Sequence, residues 1–176
     1  MDAVQNVGVI PHYLVDDGIV PNSPLPLLVY PGAVDLTQGD PARTLEQVFA
    51  SNTWDRSWRN GVYSFHHYHS TAHEVLGIAR GHVKVQMGGA AGVIFSIQAG
   101  DVMAIPAGVG HKNLGASADL LVIGAYPPGP DWDLCRESES EYRQGLVNIP
   151  RVPCPAADPV YGQGGPMRTF WATQST

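Results

Sequence analysis

The chemistry-bearing side chains of this chain are concentrated in residues 66–81, which read HHYHSTAHEVLGIARG. Four of the seven histidines and one glutamate fall in the first nine positions of this stretch. Imidazole and carboxylate groups are common ligands of divalent transition metals, but histidines in a strand also bond simply to one another, to backbone or to water. Which side chains share a face therefore decides between a metal site and an ordinary polar strand.

Strand geometry sorts these residues into two groups, because alternate side chains of a strand point to opposite faces. His67 and His69 then share one face, and His66 lies on the other. A returning strand can place Glu74 on the face of the first pair, which leaves His73 outside. We expect His67, His69 and Glu74 to point inward, where polar groups need partners and one metal ion satisfies several of them. A β-bulge that substitutes His73 for Glu74 is the alternative.

A fourth ligand is expected from a second segment, GDVMAIPAGVGHKN, at residues 100–113. It carries His111 after a proline-glycine turn, where a neighbouring strand can bring the imidazole to the first cluster. Three neutral imidazoles and one carboxylate leave a net charge of +1 on a divalent ion, and six-coordination leaves two positions free for substrate, water or O₂. Structural zinc fits poorly, because such sites are closed and rich in thiolates.

Short β-type runs with turn signals between them fill residues 61–126. This pattern of short runs and turns is typical of an antiparallel sandwich or barrel and not of alternating βα units. The segment GGAAG at 88–92 reads as a hairpin turn, since it lacks the lysine that a phosphate loop requires. The expected strands read VYSFHHYH, EVLGIARG, HVKVQMG, GVIFSIQ, DVMAIP and DLLVIGAY.

Two flanking regions complete the single domain that a chain of 176 residues predicts. Residues 1–60 read as an extended arm broken by prolines, with LPLLVY as a candidate edge strand. The arm also holds one helix over 40–52, which begins at the N-cap Asp40. Residues 127–176 are rich in proline and glycine and contain a short acidic helix around 137–144. Their MRTFW segment is expected to dock on the core, because large aromatic side chains gain from burial.

The two histidine segments each combine glycines with the candidate ligands at a fixed spacing. The first reads Gly61, five residues, His67, one residue, His69, four residues, Glu74, six residues, Gly81. The second reads Gly100, five residues, Pro106, one residue, Gly108, two residues, His111. In this order the two segments resemble the two motifs of the cupin superfamily. One departure is Asn113, which follows His111 by two residues where the family motif usually has an asparagine at four. The flanks and tail also resemble the YjlB-like group of single-domain cupins.

The resemblance implies an all-β fold, namely the conical jelly-roll barrel (double-stranded β-helix) of cupins, with one or two short helices and a pocket open at one end. It implies one divalent metal ion inside the barrel, with iron, manganese, nickel and zinc as candidates and copper as a further one. It also implies a homodimer formed through N-terminal strands, for which LPLLVY is the candidate. The implied metal ligands are His67, His69, Glu74 and His111.

The walls of such a pocket are expected to be largely apolar, as in most small-molecule sites. Two cations near the motifs, Arg80 and Lys112, could bind an anionic substrate or stand as solvated charges at the rim. His82 alternates with two valines and is expected to face solvent. The residues predicted to line the pocket are Tyr63, Phe65, Leu76, Ile78 and Met103.

These features favour a divalent-metal-dependent enzyme that acts on a small organic molecule, with dioxygenase, isomerase and decarboxylase as the candidate reaction types. No distinct catalytic acid or base is visible in the sequence. The alternative is a non-catalytic module that senses or binds a metabolite or a metal. A regulator with its own DNA-binding unit is disfavoured, because the first 60 residues hold one candidate helix and a helix-turn-helix needs more.

Composition limits the partners and the location. The net charge is −6, and the ten lysines and arginines are scattered, which argues against a surface for nucleic acid or anionic membrane. No apolar run approaches the eighteen or so residues that span a bilayer, and we expect no signal peptide. The two cysteines, Cys135 and Cys154, form no C-x-x-C pair. A cytoplasmic protein with reduced thiols is therefore expected.

Overall fold

The computed structural model describes residues 3–172. Within that range the chain forms two β-sheets with three α-helices packed around them. The strands are β1 (Ile10–Leu14), β2 (Ser23–Tyr30), β3 (Arg56–Asn60), β4 (Glu74–Arg80), β5 (His82–Met87), β6 (Val93–Gln98), β7 (Val102–Ile105), β8 (His111–Ala116) and β9 (Leu121–Tyr126). The helices are α1 (Pro41–Ser51), α2 (Glu139–Asn148) and α3 (Met167–Trp171), with a 3₁₀ turn at Ile149–Arg151 after α2.

The two antiparallel sheets share one apolar core. The larger sheet has the strand order β1-β2-β7-β4-β9-β3, and the smaller has the order β6-β5-β8. Leu76 of β4 and Met103 of β7 belong to the same buried cluster as Val83 and Val85 of β5. Among the described residues the two sheets are not hydrogen-bonded to each other into a closed barrel. The predicted all-β jelly-roll fold is confirmed, with three short helices instead of one or two.

Helix α1 covers the outer face of the larger sheet. Its N-cap Asp40 accepts hydrogen bonds from two backbone N–H groups of the first turn, as predicted. Gly77 of β4 permits a close approach of the helix, because a Cβ at this position would lie 2.8 Å from Leu45 and 2.9 Å from Phe49. This close contact packs α1 directly on the outer face of β4, whose other face carries the inward-pointing side chains.

The C-terminal segment lies against the same outer face. Trp171 of α3 is 2% exposed, shares an apolar cluster with Phe49 of α1, and donates its indole N–H to the carbonyl of Pro26 at 2.9 Å. Asp158 is fully buried and accepts a hydrogen bond from the Tyr30 hydroxyl. None of the described helices has the length and apolar composition that crossing a bilayer requires. The division of the chain into arm, core and extension at residues 60 and 126 stays a prediction.

Three stretches differ from the strand prediction. Residues 61–73 form isolated bridges at His67 and Tyr68 and no regular strand. The LPLLVY segment lies in β2, which pairs with β1 and β7, so β2 is an inner strand and the edge on this side of the sheet is β1. Strand β8 occupies a stretch that the sequence predicts as a turn, because its polar residues HKNLGA lack apolar alternation. The GGAAG turn joins the hairpin of β5 and β6, as predicted.

Candidate metal centre

The backbone brings two of the predicted ligands together directly. His67 and His111 exchange backbone hydrogen bonds, with N···O distances of 3.2 and 2.9 Å, and their ring centroids lie 4.0 Å apart. His69 follows two residues later on the same side of the chain. One ring nitrogen from each of these three buried histidines lies within 4.8 Å of the other two. The structure therefore gathers three imidazoles from two distant segments at one point.

The orientation of each imidazole is set by a backbone carbonyl. Nδ1 of His67 donates to the Phe65 carbonyl at 3.1 Å, and Nδ1 of His111 donates to the Val109 carbonyl at 3.1 Å. Nδ1 of His69 donates to the carbonyl of Asp133. A carbonyl oxygen can only accept, so all three rings carry their proton on Nδ1. Each Nε2 is left as the atom that binds a further proton or a metal ion, which is the usual arrangement of ligand histidines.

Glu74, the first residue of β4, completes the cluster. Its Oε2 atom lies 3.4 Å from Nε2 of His69 and 3.3 Å from Nε2 of His111. Its Oε1 atom accepts a hydrogen bond from the Tyr126 hydroxyl at 2.8 Å, whereas Oε2 is buried without a hydrogen-bond partner. A buried carboxylate oxygen that faces imidazole lone pairs is unfavourable unless a cation lies among them.

The donor set and its spacing fit a divalent metal ion. Two atoms bonded to one ion at about 2.1 Å, with an angle of roughly 90–110° between the bonds, lie about 3.0–3.4 Å apart. The distances from Glu74 Oε2 to Nε2 of His69 and His111 fall in that range. Three imidazoles and one carboxylate suit iron, manganese, nickel, zinc or copper better than magnesium or calcium, which prefer oxygen ligands.

The protonation states also suit ligation. Burial and the neighbouring His111 lower the pKa of His67 to about 3. Burial alone would raise the pKa of Glu74, but His69 and His111 hold that pKa well below its usual range. Burial lowers the pKa of His69, and the Glu74 carboxylate raises it more, so that its pKa lies above the usual value. Near neutral pH a metal ion therefore meets a charged Glu74 and a neutral His67, and competes with a proton at His69.

The cluster opens into a cavity of about 350 Å³. Two residues predicted to line it, Tyr63 and Leu76, are found there. The others lie elsewhere: Ile78 and Met103 are 1% exposed and pack in the core, and Phe65 faces Arg136, whose guanidinium carbon lies 3.8 Å from the ring centre. The lining residues are Trp58, Arg59, Asn60, Gly61, Val62, Tyr63, His67, His69, Glu74, Leu76, His111, Tyr126, Trp132 and Leu134.

The two histidines predicted to face outward lie outside the cluster, but both are buried. His66 is 8% exposed and His73 is 2% exposed. Nδ1 of His73 accepts a hydrogen bond from the backbone N–H of Ala107, and its ring lies 4.8 Å from the ring of Trp171. His73 therefore lies on the side of the sheet away from the cluster, as predicted, and is buried there because the C-terminal segment covers this side. Glu74, and not His73, faces the three imidazoles.

Of the two alternatives for Arg80 and Lys112, the structure agrees with charges outside the binding site. Neither Arg80 nor Lys112 lines the cavity, and the cation in its wall is Arg59. The Arg59 guanidinium is held by both carboxylate oxygens of Glu46, at 2.6 and 2.8 Å. His82 is exposed, as the sequence predicts.

Several residues of the site carry no signal that a single sequence reveals. The ring of Trp132 stacks on that of Tyr126 at 4.0 Å and 4°, and so walls the cavity beside the cluster. The Asp133 side chain accepts hydrogen bonds from the backbone and hydroxyl groups of Ser70 and from the backbone of Thr71. The loop after β9 is thereby tied to the histidine stretch, and its Asp133 carbonyl orients His69. Only the proline-rich PPGPDWD composition marks this segment as a loop.

Comparison with known proteins finds a relative that covers almost the whole chain. The chain is 37% identical over 161 residues to the uncharacterized protein YjlB of Bacillus subtilis (strain 168), an overlap of 91% of this chain and 94% of that protein. No family model matches the chain.

Similar solved structures are more distant. Procruciferin, an 11S globulin from Brassica napus, matches with a TM-score of 0.38 and 18% identity over 46% of this chain, and the chain spans about a fifth (21%) of its length. Acireductone dioxygenase from Bacillus anthracis, with a cadmium ion in its active centre, matches with a TM-score of 0.35 and 17% identity over 52% of this chain and 61% of that one. With 37% identity over nearly the whole of both chains, this chain belongs to the family of YjlB, and its two histidine motifs resemble those of the cupin superfamily.

Proposed function

We propose that this chain is a divalent-metal-dependent enzyme that binds a small organic molecule in the cavity beside His67, His69, Glu74 and His111. One observation carries the proposal. Three Nδ1 atoms are committed to backbone carbonyls, so the three Nε2 atoms and the unpartnered Oε2 of Glu74 form a ring of acceptors that one divalent ion can satisfy together.

The proposed ion is iron, manganese, nickel, zinc or copper, held by these four side chains. A bound ion of this kind supplies Lewis-acid activation of an oxygen donor or, for a redox metal, access to O₂ chemistry. Tyr126 holds its hydroxyl proton on Oε1 of Glu74, which leaves Oε2 as the ligand atom. Trp132 and Leu134 stand at the cavity wall and reduce access of water to the cluster.

Among the three reaction types, a dioxygenase reaction needs the fewest acid–base side chains, because the metal ion and O₂ supply the chemistry. The described residues that line the cavity include no aspartate, and no histidine or glutamate beyond the four proposed ligands. Isomerisation and decarboxylation each require a group that moves a proton, and Tyr126 is the main candidate there. The same scarcity of acid–base groups favours the second candidate function, a non-catalytic module that binds a metal and a metabolite.

Two further properties belong to this proposal. The first is a homodimer formed at the N-terminal end of the larger sheet, where β1 is the edge strand and exposes Ile10 and Tyr13. The second is a cytoplasmic location, supported by two free cysteines, Cys135 and Cys154, which suit a reducing compartment.

The test begins with metal content. The full chain is purified anaerobically, its metals are quantified by mass spectrometry, and O₂ uptake is followed during a screen of hydroxy and oxo acids. We expect about one divalent ion per chain, a rise in melting temperature on adding metal, and both effects to disappear in Glu74→Gln. His82→Gln, an exposed histidine away from the cavity, is the matched control and should keep its metal.

Each outcome decides between the candidates. Bound metal with turnover that is lost in Glu74→Gln supports the enzyme. Bound metal and tight ligand binding without turnover supports the binding module. A wild-type chain that holds no divalent ion and shows no thermal shift with any of the five metals contradicts both.

A further inference from the structure

We propose that the cavity selects a planar, conjugated substrate with a single anionic end, which presents its oxygen donors to the metal centre and lays its flat body on the indole of Trp58. This inference rests on the proposed function, because the metal centre anchors the anionic end. It adds the chemical class of the molecule that the centre receives.

The flat surface proposed to receive the substrate is the Trp58 indole, which has room to lie on the sheet because Gly124 beneath it carries no side chain. We call this indole the platform. Trp58 of β3 lies directly across from Gly124 of β9, which in turn lies across from Leu76 of β4. These three residues form one row on one face of the sheet, and both Trp58 and Leu76 line the cavity. A Cβ on Gly124 would overlap the Cε2 and Cζ2 atoms of the Trp58 indole. The indole therefore lies against the bare backbone of Gly124.

The platform adjoins the metal centre. Leu76 is two residues from Glu74 on β4, so both side chains point to the same face of that strand. A molecule bound through oxygen atoms at the cluster extends from there over Leu76 and Trp58. Aromatic rings prefer offset-stacked or edge-to-face contacts with other rings, which a planar body can make and a puckered one cannot.

The charges of the wall limit the substrate to one anionic end. Arg59 is the single lysine or arginine among the described lining residues, and Glu46 already neutralises it through two hydrogen bonds. A second carboxylate or a phosphate would find no free cation in this wall. Within the described part of the cavity wall, the net positive charge that a ligand can meet is therefore that of the ligated ion.

The remaining wall favours an apolar body over a polyol. Tyr63, Trp132 and Leu134 are 50%, 42% and 45% exposed, and all three line the cavity. Beyond the cluster and Tyr126, the hydrogen-bonding side chains of the lining are Arg59, Asn60, the Tyr63 hydroxyl and the indole N–H groups of Trp58 and Trp132, and the last three each belong to a ring that is mostly apolar. A sugar would leave several hydroxyl groups unpaired on such a surface, whereas a conjugated ring or chain buries favourably.

The test compares two probes that share one chelating group. Phenylglyoxylate carries a flat ring and cyclohexylglyoxylate a puckered one, and both bind metals through the same oxo-acid oxygens. With the full chain loaded with Mn²⁺, calorimetry should show phenylglyoxylate binding about fivefold more tightly. Trp58→Leu should retain stoichiometric Mn²⁺ and reduce that preference to less than about twofold.

A second variant tests the platform by adding a methyl group under the Trp58 indole. Gly124→Ala should force the indole towards the cavity and weaken phenylglyoxylate binding by about tenfold, with Mn²⁺ still bound. Equal affinities of the two probes for the wild type, or an undiminished preference in Trp58→Leu, would overturn the inference while leaving the metal centre intact. A chain that takes up no Mn²⁺ or other divalent ion refutes the proposed function, and this inference falls with it.

Discussion

The cavity histidines and His73 are both buried, on opposite sides of the larger sheet, and they differ in whether Nδ1 donates or accepts its hydrogen bond to the backbone. In the cavity, Nδ1 of His67 and of His111 donates to a backbone carbonyl. On the outer side, Nδ1 of His73 accepts from the backbone N–H of Ala107. The first arrangement leaves Nε2 as a lone pair, and the second puts the ring proton on Nε2.

The difference shows that burial alone does not make a histidine a ligand. Both environments are buried, but the backbone partner decides which nitrogen can bind a cation. Among the described residues no carboxylate forms an ion pair with His73, and its ring lies beside the ring of Trp171. We therefore assign His73 to the packing of the C-terminal segment and the cavity histidines to the proposed metal centre, and three changes test this contrast.

The largest expected effect is on metal affinity. His111→Ala should weaken binding of Mn²⁺ by more than about a hundredfold, because a direct ligand contributes more than the second-shell groups that cost up to that factor. His73→Asn should leave the stoichiometry of Mn²⁺ unchanged. Both are measured by metal analysis after dialysis. If His73→Asn lost its metal while circular dichroism showed that the fold was retained, His73 would belong to the metal centre and the contrast between the two environments would be wrong.

The second effect is on the pH dependence of stability. Burial lowers the pKa of His73 to about 4, below the ordinary value of 6.5. In the window between these values the unfolded chain binds a proton that the folded chain excludes, so the free energy of unfolding falls as the pH drops. Above pH 6.5 this loss is absent. The full loss amounts to about 3 kcal/mol at pH 4, since each unit corresponds to about 1.4 kcal/mol.

Urea unfolding of metal-free wild type and His73→Asn, from pH 7.5 to 4.5, measures this dependence. Asparagine keeps an acceptor close to the position of Nδ1 while removing the titrating group. The variant should lose stability less steeply than the wild type between pH 6.5 and 4.5. Parallel curves for the two proteins would show that His73 does not carry the acid sensitivity.

The smallest effect concerns Tyr126. Its hydroxyl donates to Oε1 of Glu74 at 2.8 Å and lies 3.3 Å from Nε2 of His69. Tyr126→Phe removes this orienting hydrogen bond and should weaken Mn²⁺ binding by about tenfold, in the range usual for outer-shell partners. Tyr13→Phe, which alters an exposed hydroxyl on β1, is the control. Equal Mn²⁺ affinities of the wild type, Tyr126→Phe and Tyr13→Phe would show that Tyr126 does not contribute to metal binding.

Spacing within the first segment predicts which of its side chains meet, for a physical reason. Glu74 begins a strand with strong β character, and His67 and His69 keep the two-residue spacing of one face although their stretch is no regular strand. The bridge at His67 supplies the same alternation locally. His111 lies in a second segment, and its place beside them, like the jelly-roll class, was predicted from the resemblance to the two cupin motifs.

The environment of those side chains was not predictable from spacing. The cover over His73 comes from Trp171, nearly a hundred residues later in the chain, and the orientation of His69 comes from a carbonyl in the loop after β9. Arg80 is close to the motif in sequence yet lies outside the cavity wall, whereas Arg59 enters it from β3. Such contacts depend on tertiary packing, which local pattern does not encode.

The paired backbone hydrogen bonds between His67 and His111 have a consequence for variants of the proposed ligands. These bonds use main-chain atoms, so they do not depend on which side chains occupy positions 67 and 111. Zinc-finger domains, in contrast, fold only when the ion binds, and their affinity includes the energy of folding. We therefore expect exchange of either imidazole to cost this chain its metal ion while the two segments stay joined.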